Sequence, residues 1–287
     1  RDIPTPNLDG LKKAGVECTH GYVSHPFCSP TRAGLMTGRY QQRFGHENNP
    51  KYDPADTVAG LPVDQVFLAK LLKDAGYATG AVGKWHLGAA PCFHPNARGF
   101  GEYVGFIGGG HRYLPVPRDD KVEYAVPIDR NGKHEDHPEY MTDFLSAEAV
   151  SFVRRHAKEP FFLYLAYNAV HTPLEAPPKY LERFPKIEDP KRKAYAAMLS
   201  AMDDGIGTVL AALREEKLDE NTLVFFLSDN GGPITVVPCS NAPFRGGKGQ
   251  TYEGGIHVPF VARWTGTLPA RTRCDHPVIS LDLLVTA

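Results

Sequence analysis

Residues 161–167, Phe161-Phe162-Leu163-Tyr164-Leu165-Ala166-Tyr167, form an uninterrupted apolar run. A run of this length is typical of a β-strand that is buried on both faces. Residues 222–227, Thr-Leu-Val-Phe-Phe-Leu, repeat the pattern. Residues 258–262 are a third candidate strand, in which Pro259 indicates an edge position or a strand start. Strands of this kind need a covering layer on each face, which the sequence between them has to supply.

Helical patterns separate these strands. An apolar stripe from Tyr195 to Leu213 predicts a long amphipathic helix near 192–216. Residues 89–140 show no period and are predicted to form long loops. Helices that alternate with buried strands predict an α/β sandwich around a central, largely parallel sheet flanked by helices. The other predicted elements are helices at 6–11 (capped by Asn7), 31–38, 64–75 and 142–157, and a strand at 77–82.

The composition excludes several classes of protein. The 287 residues include 32 Lys and Arg against 33 Asp and Glu, and a net charge of −1 argues against nucleic-acid binding through a basic surface. No apolar run approaches the ~20 residues that span a bilayer. The five cysteines are an odd number without a C-x-x-C pair, which argues against a disulfide scaffold or a structural zinc site.

Ligands of α/β sheets collect beyond the carboxyl ends of strands, so the loops that follow the predicted strands are candidate sites. Asp229 and Asn230 follow the strand at 222–227. A carboxylate beside an amide oxygen suits a hard divalent cation, although Asp-Asn-Gly is also an ordinary turn sequence. Asp203 and Asp204 lie inside the predicted long helix, where a solvated helix face is the favoured interpretation.

Basic residues occupy the other candidate loops. Lys84 and His86 would share one side of an extended segment, which suits an anionic substrate and proton transfer. A solvated lysine and a packing histidine are the alternative. His171 is a single histidine in a loop, and Lys248 lies on the glycine-rich segment 244–255. That segment lacks the Walker spacing, which excludes a nucleotide P-loop. A glycine-rich loop whose lysine binds a tetrahedral anion stays open as an interpretation.

Residues 27–39, Phe-Cys-Ser-Pro-Thr-Arg-Ala-Gly-Leu-Met-Thr-Gly-Arg, run from a C-x-P-x-R pattern into a predicted helix. Cys28 therefore lies near a helix N-terminus, where the field favours anions. Arg32 follows one turn later. These surroundings indicate an activated thiol.

These motifs resemble the formylglycine-dependent sulfatases of the alkaline-phosphatase-like superfamily. The segment from Cys28 to Tyr40 looks like the family signature. Within the family the chain looks most like N-acetylgalactosamine-6-sulfatase and its bacterial relatives. Further blocks that match in the same order are residues 5–9, 83–88, 171–173, 228–231 and 247–248.

The resemblance implies a sulfuric ester hydrolase that removes sulfate from a sulfated carbohydrate. A formylglycine-generating enzyme would convert Cys28 to formylglycine during maturation, and the hydrate of that aldehyde would be the nucleophile. A calcium ion would complete the site. The residues to which the resemblance assigns the other roles are Arg32 (hydrate and metal), Lys84 and Lys248 (sulfate oxygens), His86 (hydrate), His171 (sulfate or leaving oxygen), and Asp229 and Asn230 (calcium).

The chain departs from the family pattern at both ends. The family's apolar first strand with its Asp-Asp pair, and its C-terminal subdomain, have no counterpart in the sequence, so residues 1–287 are expected to be a single catalytic domain truncated at both ends. Calcium binding by such a piece is expected to be weak. The family's usual locations imply a periplasmic, secreted or lysosomal protein.

Two other functions stay open, a phosphonate or phosphate ester hydrolase of the same superfamily and a non-catalytic fragment that binds sulfated glycans. The sequence names no sulfated substrate. Residues 45–49 and the 89–140 loop, with His94, His111 and Arg112, are predicted to shape the substrate pocket.

Overall fold

The computed structural model describes residues 2–117, 119, 123–136 and 139–287. Residues 118, 120–122 and 137–138 of the predicted 89–140 loop lie outside the described part. The helices are α1 (Pro6–Lys13), α2 (Cys28–Thr37), α3 (Leu68–Asp74), α4 (Met141–Arg155), α5 (Pro178–Leu181), α6 (Pro190–Glu215), α7 (Glu253–Ile256) and α8 (Asp282–Thr286). The strands are β1 (Val16–Cys18), β2 (Gly21–Tyr22), β3 (Ala78–Lys84), β4 (Glu102–Phe106), β5 (Ile128–Arg130), β6 (Lys133–Glu135), β7 (Phe161–Ala166), β8 (Val224–Leu227), β9 (Phe260–Arg263), β10 (Thr272–Cys274) and β11 (Val278–Ile279).

The strands form a five-stranded sheet in the order β6-β5-β4-β3-β7, a four-stranded sheet in the order β10-β1-β9-β8, and a two-stranded parallel sheet of β2 and β11. In the larger sheet β4, β3 and β7 run parallel to one another. The strand β5 is antiparallel to β4, and β6 is antiparallel to β5. In the smaller sheet β9 is antiparallel to both neighbours. The predicted α/β fold is therefore confirmed, with a parallel centre in the larger sheet and mixed strand directions outside it.

Helices cover both faces of the five-stranded sheet. Successive residues of a strand point to opposite faces, so neighbouring residues of β3 and β4 pack against different helices. Val82 of β3 and Val104 of β4 pack in one apolar cluster with residues of α4 and α6. Ala81 and Tyr103, one position earlier on the same strands, pack in a second cluster with residues of α2 and α3. This arrangement fixes α2 against the sheet and points its first residue towards the carboxyl end of β3.

The prediction of long loops over 89–140 is wrong for β4, β5 and β6, and β4 is a central strand paired with β3. The strand was missed because Gly105 interrupts its apolar pattern. Gly105 lies opposite Gly83 of β3, and a Cβ added at Gly105 would stand 1.9 Å from the Gly83 carbonyl oxygen. The close contact between the two backbones excludes any side chain at position 105. Glycine therefore makes the pairing of β3 with β4 possible, but it also interrupts the apolar pattern from which the strand would have been predicted.

The two apolar runs form strands as predicted, but they are not buried on both faces. The side chains from Phe161 to Leu165 in β7, and those of β8, are only partly buried. The reason is position, since β7 ends the five-stranded sheet and β8 ends the four-stranded sheet among the described residues.

The helices α4 and α6 confirm the predicted long helices, whereas α3 covers only Leu68–Asp74 of the predicted 64–75. Phe67, 2% exposed, provides the buried anchor at its start, and Val66 is 57% exposed outside the helix. Among the described helices, α6 alone is long and apolar enough to cross a membrane by length and composition, but 67% of its most apolar window is buried inside the protein. A core helix of a globular domain meets the same criteria, so α6 is weak evidence of a membrane span.

The interpretation of Asp203 as part of a solvated helix face is wrong, because the residue is 1% exposed. Its carboxylate accepts hydrogen bonds from the backbone N–H groups of Asn7 and Leu8 at 3.0 and 2.8 Å. Asn7 itself lies inside α1, not at the predicted cap position, and its side chain also donates to Asp203. Asp203 thus satisfies N–H groups at the start of α1 that helical bonding leaves free.

Candidate active site

The predicted site residues converge where the carboxyl ends of β3 and β7, the start of α2 and the loop after β8 meet. A cavity of about 230 Å³ lies at this point. Four of the predicted residues line it, namely Cys28, His86, His171 and Lys248. The other lining residues are Asn49, Pro50, Lys51, Gly109 and Tyr124.

Cys28 is the first residue of α2 and is 2% exposed. Lys248 Nζ donates a hydrogen bond to Cys28 Sγ at 3.1 Å, across 220 residues of sequence. The loop that carries Lys248 is joined to the entrance of α2 by a hydrogen bond from the Gly249 N–H to the Pro26 carbonyl oxygen at 2.9 Å. Asn241, which the sequence analysis did not identify, stabilises this loop by donating to the carbonyl oxygens of Gly232 and Gly246.

Arg32 lies one turn into α2 and is 6% exposed. Its guanidinium donates to Asp229 Oδ2 from two nitrogens, at 3.1 and 2.8 Å. It also donates to the Lys84 carbonyl oxygen and to Tyr164 Oη, each at 3.0 Å. Burial alone would lower the pKa of Arg32, but the neighbouring Tyr164 and Asp229 outweigh it and raise that pKa. Arg32 therefore connects α2, β3, β7 and the loop after β8.

Lys84 is the last residue of β3, and His86 lies two residues later. They are 3% and 5% exposed, so the alternative of a solvated lysine does not hold. Burial lowers the pKa of Lys84, and Arg32 adds to the effect. Burial and the nearby Lys84 hold the pKa of His86 well below its ordinary value, so the imidazole is neutral. The His86 backbone has a positive φ of 60°, a sparsely populated conformation for a non-glycine residue. Its Nδ1 is buried without a hydrogen-bond partner among the described residues.

His171 lies on the wall of the cavity and is neutral over most of the physiological range. Burial, followed by the positive charges of Lys84 and Lys248, lowers its pKa to about 4. His171 Nδ1 is 2.8 Å from the Thr172 carbonyl oxygen, which can only accept, so Nδ1 carries the proton. His171 Nε2 is consequently left with a lone pair.

Asp229 and Asn230 supply two oxygen side chains at the end of β8. Burial would raise the pKa of Asp229, but Arg32, Lys84 and Lys248 hold it far below its ordinary value, so the carboxylate is ionised. Asn230 Oδ1 is buried and has no hydrogen-bond partner in the described part of the chain. An ionised carboxylate beside an unpaired buried oxygen fits a hard cation, and calcium takes 6–8 oxygen ligands. The described residues contain no group of three or more His, Cys, Asp or Glu that could hold a metal, so a cation bound here would need oxygen ligands beyond these two side chains.

The rim of the cavity was predicted only in part. Asn49, from the 45–49 segment, lines it, but the three residues named in the 89–140 loop do not. His94 pairs with Asp129 at 3.2 Å, His111 contacts backbone carbonyl oxygens, and Arg112 pairs with Glu175. The rim residues from that loop are instead Gly109 and Tyr124.

A larger groove of about 720 Å³ lies between α4 and α6. It is lined by residues such as Asp143, Arg154 and Asp204 and contains none of the predicted catalytic side chains. The concentration of buried charge around the smaller cavity makes that cavity the candidate active site.

Known proteins resemble the chain over nearly its whole length. The sulfatase family model matches residues 1–287. N-acetylgalactosamine-6-sulfatase of Canis lupus familiaris is 36% identical over 307 residues, which cover 99% of this chain and 56% of the relative. The crystal structure of Ps i-CgsB in complex with k-i-k-neocarrahexaose is 45% identical with a TM-score of 0.94, covering 99% of this chain and 65% of that one. PsFucS1 sulfatase from Pseudoalteromonas sp. is 29% identical with a TM-score of 0.83, covering 99% and 61%. The chain thus spans between about half and two thirds of the length of these proteins.

Proposed function

Because the chain belongs to the sulfatase family, we propose that its protein hydrolyses sulfate esters of a carbohydrate, with formylglycine made from Cys28 as the nucleophilic residue. The observation that carries the proposal is the contact between Lys248 and Cys28 inside a cavity that His86 and His171 also line. A sulfate ester is a tetrahedral anion, and the cavity brings positive charge to the side chain that would attack it.

The charged residues of the site have a common task in this proposal. Lys84 and Lys248 neutralise the charge on the sulfate oxygens, which grows as the ester bond breaks. Lys248 also donates to the atom at the position of Cys28 Sγ and so orients the nucleophile. Arg32 is held by Asp229 and Tyr164, which keeps its positive charge beside the start of α2.

The neutral histidines supply proton transfer. His171 Nε2 can accept a proton or a hydrogen bond, because Nδ1 is committed to the Thr172 carbonyl. His86 lines the same cavity, and its buried Nδ1 has no hydrogen-bond partner among the described residues. We assign His86 to the nucleophile, and His171 to the sulfate or the leaving oxygen. Formylglycine, as its hydrate, would supply the hydroxyl that attacks sulfur.

Calcium would be held in part by Asp229 and Asn230, which lie next to each other in the loop after β8. When bound, the ion would stabilise negative charge on the sulfate group. The readout that is independent of activity is titration calorimetry of the purified protein with calcium. Asn230→Ala should weaken binding markedly, and unchanged affinity would remove Asn230 from the ligand set.

A sulfated carbohydrate is the substrate class that the relatives favour. One relative is named for N-acetylgalactosamine, and the crystal structure at 45% identity holds a neocarrahexaose. The lining of the cavity includes Tyr124 and the exposed Lys51, an aromatic ring and a cation that suit a sugar ring and an anionic substituent.

The test uses protein made in a host that has a formylglycine-generating enzyme. Peptide mass spectrometry should find Cys28 at least partly as formylglycine. The conversion replaces H₂S by one oxygen atom, so the modified peptide is lighter than the unmodified one. A panel of sulfate, phosphate and phosphonate esters should show turnover of the sulfates, and Cys28→Ala should abolish it without unfolding the protein. Preference for phosphonates would favour the related hydrolase, and glycan binding without turnover would favour a non-catalytic binder.

A further inference from the structure

Two cysteines outside the candidate site lie side by side in the four-stranded sheet. Cys18 ends β1 and Cys274 ends β10, and the two strands pair in parallel with Cys18 directly opposite Cys274. Both are free thiols and are neither fully buried nor fully exposed. The three other cysteines lie elsewhere, since Cys28 begins α2, Cys92 is exposed and Cys239 is in the loop after β8.

The register brings the two thiols to the same face. Residues directly opposite each other on parallel strands point to one side of the sheet, and their predecessors point to the other. Glu17 and Arg273, one position earlier, are also register partners and approach to 3.9 Å. The side chains of the two strands therefore contact each other as the register requires. Burial, followed by the neighbouring Cys274 thiol, raises the pKa of Cys18, as expected for two thiols that face each other across paired strands.

The spacing of the strands suits a covalent bond. Neighbouring strands lie about 4.7–4.9 Å apart, and disulfides join Cα atoms about 4.4–6.8 Å apart. We propose that Cys18 and Cys274 form a disulfide under oxidising conditions. It would tie β1 to β10 and close a loop of 274 − 18 = 256 residues, which is nearly the whole chain.

The oxidant is a small-molecule or protein disulfide, such as oxidised glutathione. One cysteine thiolate attacks it to give a mixed disulfide and releases one thiol. The thiolate of the other cysteine then attacks the mixed disulfide at the protein sulfur and releases the second thiol. Two protein thiols lose two electrons and two protons, and one external disulfide gains them. The geometry favours the second step, because the partner thiol is already adjacent.

The test is equilibration of the purified protein in glutathione buffers of increasing oxidised fraction, followed by alkylation and peptide mapping without reduction. A cross-linked peptide pair containing Cys18 and Cys274 should appear, and it should separate on reduction. The oxidised protein should unfold at a Tm higher by roughly 5 °C or more, because closing so long a loop restricts the unfolded chain.

Matched variants separate this bond from general thiol oxidation. Cys92→Ser should leave the cross-link and the rise in Tm unchanged. Cys18→Ser should abolish both and leave Cys274 as a glutathione adduct. Separate glutathione adducts on Cys18 and Cys274 in the wild-type protein, without a cross-link, would overturn the proposal. So would a cross-link that forms without raising Tm, since it would then join a non-native arrangement.

Discussion

The two halves of the candidate site are held very differently. The buried half consists of Cys28, Arg32, Lys84 and His86, which lie on α2 and at the end of β3 and are all 6% exposed or less. The loop half consists of Asp229, Asn230 and Lys248, which follow the edge strand β8 and are only partly buried. The Asp229 side chain, for example, is 28% exposed.

The difference shows which part of the site is structural as well as chemical. In the buried half, side chains also serve the packing between layers: the Ser29 hydroxyl donates to the His86 carbonyl oxygen at 2.5 Å, and Arg32 joins four elements. In the loop half, Lys248 makes its side-chain contact with Cys28 and is otherwise placed by backbone hydrogen bonds. Substitutions of Arg32 and Lys84 in the buried half should therefore change stability and activity together, whereas substitution of Lys248 in the loop half should change activity alone. Asp229 is the exception in the loop half, because it forms an ion pair with Arg32.

The largest effect is expected for Arg32→Ala. It removes the partner of Asp229 and leaves Tyr164 and the Lys84 carbonyl without a donor, so Tm should fall by several degrees. Sulfatase turnover should fall about 10³-fold or more, because the lost charge borders the nucleophile. Thermal unfolding and steady-state kinetics on the same preparation check both. A fall in activity with an unchanged Tm would erase the distinction between the two halves.

Lys248→Ala should lower kcat/KM about 10²-fold or more, while Tm stays within about 1 °C of the wild type. Its matched variant in the buried half, Lys84→Ala, should lose as much activity and should also shift Tm. Normal kinetics in both variants would contradict the assignment of the two lysines to the sulfate oxygens.

The pH dependence of kcat/KM should reflect His171, whose pKa is lowered to about 4. As pH falls through that value the imidazole gains a proton and Nε2 can no longer accept one. Activity should therefore hold from pH 7 to about pH 5 and fall only below it. An acid limb centred near the ordinary histidine value of about 6.5 would show that His171 is not the group that must be neutral.

Tyr164→Phe should cost about tenfold in kcat, because it removes one of the hydrogen bonds that orient Arg32. KM should change little if Tyr164 only positions the guanidinium. The control is Tyr103→Phe, because the Tyr103 hydroxyl donates to the Gly83 carbonyl oxygen, whereas the Tyr164 hydroxyl accepts from Arg32. Equal losses in the two variants would indicate general damage to the sheet.

The smallest effect lies away from the site, at His156, which contacts Glu102 and Glu159 at 2.7 Å each. Burial opposes its protonation, but the two carboxylates outweigh it and raise the pKa of His156. The stabilisation is complete below the unfolded value of about 6.5 and is lost as pH rises through the raised folded value. His156→Gln should lower Tm slightly at pH 6 and not at pH 9, with the exposed His134→Gln as the control. A loss of equal size at both pH values would rule out linkage to this imidazole.

The sequence predicted the parts of the molecule that repeat a pattern. The helices α4 and α6 and the strands β7 and β8 carry long apolar runs or stripes, and candidate side chains follow the two strands. The strand β4 was not predicted, because Gly105 breaks its apolar pattern. The hydrogen bonds of Asp203 to the start of α1 were not predicted either, because the partners are almost 200 residues away in sequence.

Within the site, the residue types at strand ends were readable, but their partners were not. Tyr164 looked like one apolar residue of a buried strand, yet its hydroxyl contacts Arg32. Asn241 lies in a loop without any motif, and only tertiary contacts reveal that it holds the Lys248 loop. Hydrogen bonds between distant segments leave no local pattern, so they have to be found in three dimensions.

The backbone contact between Gly83 and Gly105 affects how mutational tolerance is interpreted. In a saturation screen scored by turnover, substitutions at Gly105 should be as harmful as substitutions at Lys84, since any side chain would force β3 and β4 apart. A map of intolerant positions would then place Gly105 among the functional residues, although it would bind nothing. Scoring the same library for folded protein as well as for turnover would separate the two classes, because Gly105 variants would fail both screens and Lys248 variants only the second.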